Sequence, residues 1–361
     1  MSFSGSYRAG EVSFLLRPLA QQEFVDVAAK EKLIQGGARH YSQMLSPESA
    51  PSERYMRLFD EACRANNARM ARDCLRLARL IAGRRPGRIA LVSLARAGTP
   101  VGVVVARLLR EVCGREVSHY SVSIVRDRGI DAAALRHILA HGHADREIVF
   151  LDGWTGKGVI ARELASSVAA FNRAHQTAID AGLHVLSDLA GAAACAAACE
   201  DYLIPSSILN ATVSGLVSRT VMDPAMGPDD FHGCVLYGRF APWDRSQSFA
   251  DELVALALAQ APGPADAAPV DATAARARSR ACLAAAMERY AVSDLNLVKP
   301  GIGEATRVLL RRLPRLVVLR DPACAEVAHL AALAEEKRVP VEIDPTLPYH
   351  AMSLIRSASD G

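Results

Sequence analysis

Apolar residues along this chain fall into short continuous runs separated by longer stretches of helical period. The runs at 89–94, 148–151 and 182–186 read as strands covered on both faces, and 117–125 as a further strand. Residues 52–82 carry the spacing of one or two amphipathic helices. Stretches ending at 109, at 132–139 and at 159–171 also have helical period. Alternating strands and helices predict an α/β fold with a parallel sheet. The Ala-rich stretch 190–198 reads as a tightly packed helix, with Cys195 and Cys199 on one face, and 202–205 as a short edge strand. Residues 1–54 are irregular and form an N-terminal arm, 55–257 the main domain, and the Pro- and Ala-rich segment 258–272 a linker. Residues 273–361 make a separate module: a helix at 274–292, a helix entered at 298–307, strands at 316–319 and 339–343, and a helix at 321–337 between them.

Two strand-to-helix turns carry the candidate chemistry. Strand 148–151 runs into Asp152-Gly153-Trp154-Thr155-Gly156-Lys157-Gly158, and strand 89–94 into Arg96-Ala97-Gly98. A helix that starts at a glycine turn presents free N–H groups, which suit phosphate. Asp152 lies at a strand's carboxyl end, where open α/β sheets bind ligands. A Walker loop is excluded, because Gly158 stands where Ser or Thr is needed and Leu151 where the first Gly is needed. A dinucleotide fingerprint matches only as Gly156-x-Gly158-x-x-Ala161 and leaves Asp152 unexplained. An ordinary turn with glycine for geometry alone remains open. So does a solvated Arg96. Arg126 and Arg128 flank the next turn, either folding over an anion or joining a surface network with Asp127. The hydroxyl-rich stretch 206–220 is either a hood over the site or a capped helix start.

Composition narrows the class. A net charge of +3 over 361 residues makes no bulk electrostatic case for nucleic acid. The eight cysteines form no CxxC pair, so neither a zinc site nor a disulfide framework is expected. No stretch reads as a signal peptide or a membrane span, so a cytoplasmic protein is expected. No cysteine sits at a recognisable nucleophile turn, and the nearest His–Cys spacing is His232 to Cys234.

The turn at 150–158 resembles the phosphoribosyl diphosphate (PRPP) loop of type I phosphoribosyltransferases, an apolar strand, acidic pair and Thr-Gly-x-Thr. It has one acid instead of two, and its acid-to-Thr spacing is one residue shorter. Arg96-Ala97-Gly98 resembles the diphosphate loop of the same enzymes. Residues 298–307 resemble the RNA-binding stretch of Pelota and the kink-turn-binding ribosomal proteins, with Gly303 where those have Asn. Together the chain, from Ser4-Gly5-Ser6-Tyr7 onward, is similar to the bacterial phosphoribosyltransferase–PELOTA proteins of tellurite and stress-response gene clusters. Some of these carry the label StiP and the description cysteine protease. The resemblance implies a type I phosphoribosyltransferase-like parallel sheet with helices on both faces, plus a small C-terminal α-β-α Pelota-like domain. It implies Thr155, Gly156, Lys157 and Gly158 on the 5′-phosphate, and Asp152 on the ribose. Arg96 with Ala97 and Gly98, helped by Arg126 or Arg128, would take the diphosphate. Mg²⁺ would accompany PRPP, and the acceptor would be nucleobase-like. Lys299, Gly303, Glu304, Thr306 and Arg307 would contact RNA. The single acid leaves open a non-catalytic PRPP- or nucleotide-sensing regulator. RNA and a second copy of the chain are the macromolecular partners this resemblance allows.

Overall fold

The computed structural model describes residues 2–20, 24–223, 225–262 and 270–356. The strands in chain order are β1 (Ser13–Leu15), β2 (Arg17–Pro18), β3 (Ile89–Ala95), β4 (Val117–Val125), β5 (Gly129–Ile130), β6 (Ile148–Thr155), β7 (Leu183–Asp188), β8 (Cys195–Ala198) and β9 (Gly233–Cys234). The module adds β10 (Val298–Pro300), β11 (Pro314–Leu319), β12 (Val341–Ile343) and β13 (Ala351–Ile355). The helices are α1 (Val27–Gln35), α2 (Glu53–Arg84), α3 (Gly98–Glu111), α4 (Ala132–Ala140), α5 (Val159–His175), α6 (Ser246–Gln260), α7 (Ala272–Arg289), α8 (Ile302–Arg311) and α9 (Ala328–Glu336).

The main sheet runs β1-β4-β3-β6-β7-β8, every neighbour parallel, with β5 antiparallel on the end of β4. Its continuous apolar strands split their side chains between two helical layers. Leu91, Val149 and Leu151 pack with α2, α3 and α6. Ala90, Val92, Ile148 and Phe150 pack with α4 and α5. The chain leaves β3 through α3 to one side and β6 through α5 to the other, so the strand order reverses between β3 and β6. The C-terminal module is a sheet in the order β10-β13-β11-β12, with β11 and β12 parallel and β13 antiparallel to both its neighbours. No helix among the described residues is long and apolar enough to cross a membrane.

Several elements differ from the sequence expectation. The stretch 190–198 is not a helix. The Asp188 carboxylate accepts from the amides of Ala190 and Ala193, Gly191 takes a positive φ, and Cys195–Ala198 then pairs with β7. Tertiary pairing overrides alanine's helix preference there, so Cys195 and Cys199 share no helix face. Residues 202–205 make no strand; a 3₁₀ turn at Pro205–Ser207 follows them. The arm is not merely peripheral, because Phe14 and Leu15 of β1 are fully buried and β1 joins the sheet. Residues 52–82 are one helix, opened by Ser52 accepting from the Tyr55 amide. The helix expected at 321–337 begins only at Ala328, after a turn in which Asp321 accepts from the Ala323 amide. Of the expected linker, residues 263–269 lie outside the described residues; α6 ends at Gln260 and α7 begins at Ala272.

Three buried histidines set the acid limit of the fold. His119 bonds Ser93 Oγ at 2.9 Å and Glu11 O at 2.9 Å; His184 bonds Phe150 O at 3.1 Å; His329 bonds Thr306 Oγ1 at 2.7 Å. Burial pulls their imidazoles down to about 3, 4 and 3. The unfolded chain takes up protons below its ordinary histidine pKa that the fold refuses, so stability is full above roughly pH 6.5 and falls below it. Each histidine contributes up to about 1.4 kcal/mol per pH unit. Urea midpoints should stay level from pH 7.5 to about 6.5 and fall from there to pH 4.5, and His119→Gln should flatten the falling limb. A slope unchanged by replacing any of the three would refute this account.

Candidate functional site at the carboxyl edge of the sheet

The two glycine turns lie side by side where the strand order reverses. A Cβ on Gly98 would come within 2.8 Å of Leu151 O and 3.1 Å of Asp152 Cα, so only glycine lets the turns touch. Within the β6 turn, Thr155 Oγ1 accepts from the Gly158 amide at 2.9 Å, and Gly158 adopts a left-handed φ of 70° before α5. Asp152 accepts from the Gly153 amide at 2.8 Å. Burial pushes its carboxyl up to about 6, against the pull of Arg307. Lys157 Nζ donates to Leu295 O at 2.6 Å, and burial, then Lys299, brings its ammonium down to about 7. Asp152, Thr155, Gly156, Lys157 and Gly158 therefore share one turn, and Ala97 and Gly98 abut it.

The hollow between these turns is filled. Helix α8 lies across it, so the face read as RNA-binding is docked on the face read as phosphate-binding. A Cβ on Gly303 would stand 2.5 Å from Trp154 Cε2. The Arg307 guanidinium sits 4.3 Å from the Trp154 ring centroid and donates to Glu304 at 2.9 Å. Lys299 pairs with Glu304 at 3.8 Å, and a Cβ on Gly156 would meet Glu304 Cγ at 2.9 Å. Burial opposes ionisation of Glu304, yet Arg307, Lys299 and Lys157 hold its carboxyl below the usual range. The gap left among Arg96, Trp154, Asn210, Arg307 and Arg311 is about 10 Å³, room for roughly one water.

Individual roles shift accordingly. Thr306 is fully buried, bonded to Ile302 O and His329, and belongs to the module's core, which withdraws it from RNA contact. Arg96 does not reach over the turn amides. It pairs with Glu48 at 2.7 Å and donates to Val217 O at 2.8 Å and Asn210 Oδ1 at 3.2 Å; its peptide bond to Ala95 is cis. Arg311 donates to the same Asn210 oxygen. Arg126 pairs with Asp127 at 3.1 Å and reaches Asn296 of the module at 3.4 Å. Arg128 is exposed, and its guanidinium has no hydrogen bond or ion pair among the described residues. Glu48 and Asn210 went unremarked as site residues in the sequence. Their signal, an acid and an amide in irregular stretches, is too slight to read without coordinates. The tryptophan inside a phosphate-type turn was the visible clue that something packs there.

The nearest His–Cys spacing in the sequence does not correspond to a side-chain pairing. His232 bonds Ser123 Oγ at 2.8 Å, and burial pushes the Cys234 thiol up to about 12, so those two are not paired. Burial also raises the thiols of Cys63, Cys74, Cys113, Cys195, Cys199 and Cys282. Cys324, half-buried, lies 3.7 Å from His350 Nδ1, a contact between residues 26 apart that spacing alone does not reveal.

Sheet, rim and capping module define an α/β protein with a mostly parallel central sheet and an appended Pelota-like domain. The chain belongs to the StiP family: residues 5–254 match the family described as tellurite-like stress resistance cysteine protease StiP. Residues 277–357 match the PELOTA RNA binding domain. Among curated proteins, Cysteine protease StiP of Acinetobacter baylyi (strain ATCC 33305 / BD413 / ADP1) is 40% identical over 373 residues, spanning 99% of this chain and 96% of that protein. A solved aspartate aminotransferase from Rhodobacter sphaeroides aligns at 16% identity over 92% of this chain and 94% of its own, with a TM-score of 0.22, too slight to bear on the fold.

The docking rests on Gly303. In a Trp243→Phe background, where Trp154 is the remaining tryptophan, Gly303→Ala should red-shift the emission and increase quenching by acrylamide. It should also cost about 1–3 kcal/mol of stability. Wild-type emission and stability in this variant would show that α8 is not seated on the indole.

Proposed function

We propose that this protein is a PRPP-dependent phosphoribosyltransferase acting on a nucleobase-like acceptor, with its ribosyl-phosphate site covered at rest by the C-terminal module. The observation that carries this reading is the contact between the two glycine turns, Gly98 against Asp152, at the reversal point of a parallel sheet. That edge is where such sheets bind phosphorylated ligands. The parallel sheet with helices on both faces supports the type I phosphoribosyltransferase reading of the fold. The local charge supports it as well: Arg96, Lys157, Lys299, Arg307 and Arg311 converge on the rim and outnumber Glu48, Asp152 and Glu304. Buried cations in surplus are costly unless an anion joins them.

On this reading the amides of 155–158 and the Lys157 ammonium hold the 5′-phosphate. Asp152 binds the ribose hydroxyls and bears on the oxocarbenium-like sugar. Arg96, released from Glu48, takes the diphosphate with the amides of Ala97 and Gly98. Mg²⁺ fits as a companion of the diphosphate. Asp152 supplies one carboxylate, and no cluster of three or more metal-ligating side chains occurs among the described residues. Phosphate oxygens and water would complete its shell, and the ion would offset the leaving group's charge. The module must lift for PRPP to enter, and lifting also frees Lys299, Glu304 and Arg307 for RNA.

A second reading, thiol chemistry as in the relative's printed name, has one observation in its favour, the approach of Cys324 to His350. Burial and the adjacent Arg320 hold the His350 imidazole below its usual range. The pair lies in the PELOTA-matching segment, outside residues 5–254, whose cysteines are all raised. Peptidase activity lost in Cys324→Ser would favour this reading over transfer.

Calorimetry with PRPP and Mg²⁺ tests the main proposal. Wild type should bind, and Gly303→Ala should bind more tightly. Lys157→Met should weaken binding by tenfold or more. Affinity should fall from pH 6 to 8.5, approaching tenfold per unit above pH 7, because the anion prefers the protonated Lys157. No binding to wild type or to Gly303→Ala would overturn the proposal. Diphosphate release with candidate bases then separates enzyme from sensor.

A further inference from the structure

A sizeable cavity also lies away from the two glycine turns. A chamber of about 420 Å³ lies beyond the Arg96–Asn210–Arg311 contact, enclosed by α1, residues 45–55, the 206–220 stretch, α8 and α9. Lys30, Arg219 and Arg311 line it, and none of the three makes an ion pair among the described residues. Two carboxylates also line the chamber: Glu48 is held by Arg96, and Glu336 is exposed at the end of α9, while Glu31 beside Lys30 is held by Arg312.

Lys30 is the sharpest case. Its residue is only 7% exposed, and its ammonium has no hydrogen-bond partner among the described residues. Arg219 spends its donors on the carbonyls of Tyr41 and Met44, and Arg311 on one amide oxygen. Ser46 Oγ, also in the chamber wall, is buried with no partner. Glu31 acts on Lys30, and Glu48 on Arg219 and Arg311, so part of this charge is offset, but buried cations in surplus remain costly unless an anion joins them. The repulsion registers in the groups themselves: burial, then Arg219 and Arg312, brings the Lys30 ammonium down to about 7. Burial, then Arg96 and Arg307, pulls the Arg311 guanidinium well below its usual range. Leu45, Ile208, Leu209 and Phe240 contribute apolar surface to its lining.

We infer that this chamber is a binding site for a phosphorylated small molecule of nucleotide size. Its phosphate would sit among Lys30, Arg219 and Arg311, and its uncharged body against Leu209 and Phe240. The volume is that of a ligand-sized pocket, whereas the rim gap holds roughly a water. The chamber adjoins the PRPP rim, sharing Leu209, Asn210 and Arg311 with the rim gap, but Lys30 and Arg219 line the chamber alone, and the inference stands even if the rim binds nothing. Its occupant would also draw Arg311 away from Asn210, the oxygen that Arg311 shares with Arg96.

Adenosine 5′-monophosphate and inorganic phosphate serve as probes in calorimetry on the full chain at pH 6.5 and low salt. Wild type should bind one adenosine monophosphate per chain, more tightly than phosphate. Lys30→Met should lose at least tenfold in affinity while raising the ligand-free melting temperature, because an unpaired buried charge is removed. Lys30→Arg should retain binding. Lys157→Met reports on the rim and should leave this affinity intact. Failure of wild type to bind either probe at millimolar concentration overturns the inference. So does equal affinity in Lys30→Met, or loss of binding in Lys157→Met alone, which would place the nucleotide at the rim.

Discussion

The architecture turns on one contact, the seating of α8 on Trp154. Gly303 brings the helix backbone onto the indole, and Arg307 stacks on the ring from one turn further along. That contact closes the sheet's carboxyl edge, buries Glu304 against Gly156, and sets Lys157 against Leu295. A bulky residue in a phosphate-type turn makes little sense for a ligand that needs bare amides. It makes sense if the turn also receives a protein surface. The module also bears on Asp152: beneath the larger effect of burial, Arg307 pulls its carboxyl down and Glu304 pushes it up.

Charge tells the same story from another side. The interface between the two parts is rich in arginine and lysine, and its carboxylates are shared. Glu304 serves Arg307 and Lys299, and Glu48 serves Arg96. Asn210, a neutral amide, is left to serve both Arg96 and Arg311. A neutral acceptor between two guanidiniums offsets less of their repulsion than a carboxylate would. Glu48 and the Val217 carbonyl hold Arg96 in place there. It also leaves these arginines poised to turn toward any anion that enters from either side.

The strands and helices of the main sheet were legible because doubly covered strands and long amphipathic helices leave strong patterns, and β3, β4, β6, α2 and α5 all did. The two glycine turns were legible for the same reason, since glycine, a charged residue and an abrupt end to an apolar run coincide there. Where expectation failed, a tertiary partner decided the outcome. β8 is alanine-rich yet a strand because β7 offers a pairing edge. β1 is three residues long and invisible without β4. β13 is buried at every position and joins β10 to β11, but its five residues carry no mark of that place. The docking of α8, the Glu48–Arg96 pair and the Cys324–His350 approach join residues far apart in the chain, and no local pattern encodes such meetings. Thr306 matched a motif by letter, but in this fold its hydroxyl is committed to Ile302 and His329.

On the proposed reading, one feature of the geometry constrains any account of the C-terminal module. The N-terminal turn of α8 cannot hold an RNA backbone and cover the rim at once, because Glu304, Arg307 and Gly303 are the contacts in both roles. Binding at one therefore opposes closure of the other, and by linkage each ligand must shift the affinity for its counterpart by the same factor. A ligand that fills the rim lifts α8 and exposes its cationic turn; an RNA that takes that turn opens the rim to PRPP. The sign is cooperative in both directions, although the two ligands touch opposite faces of the same contact.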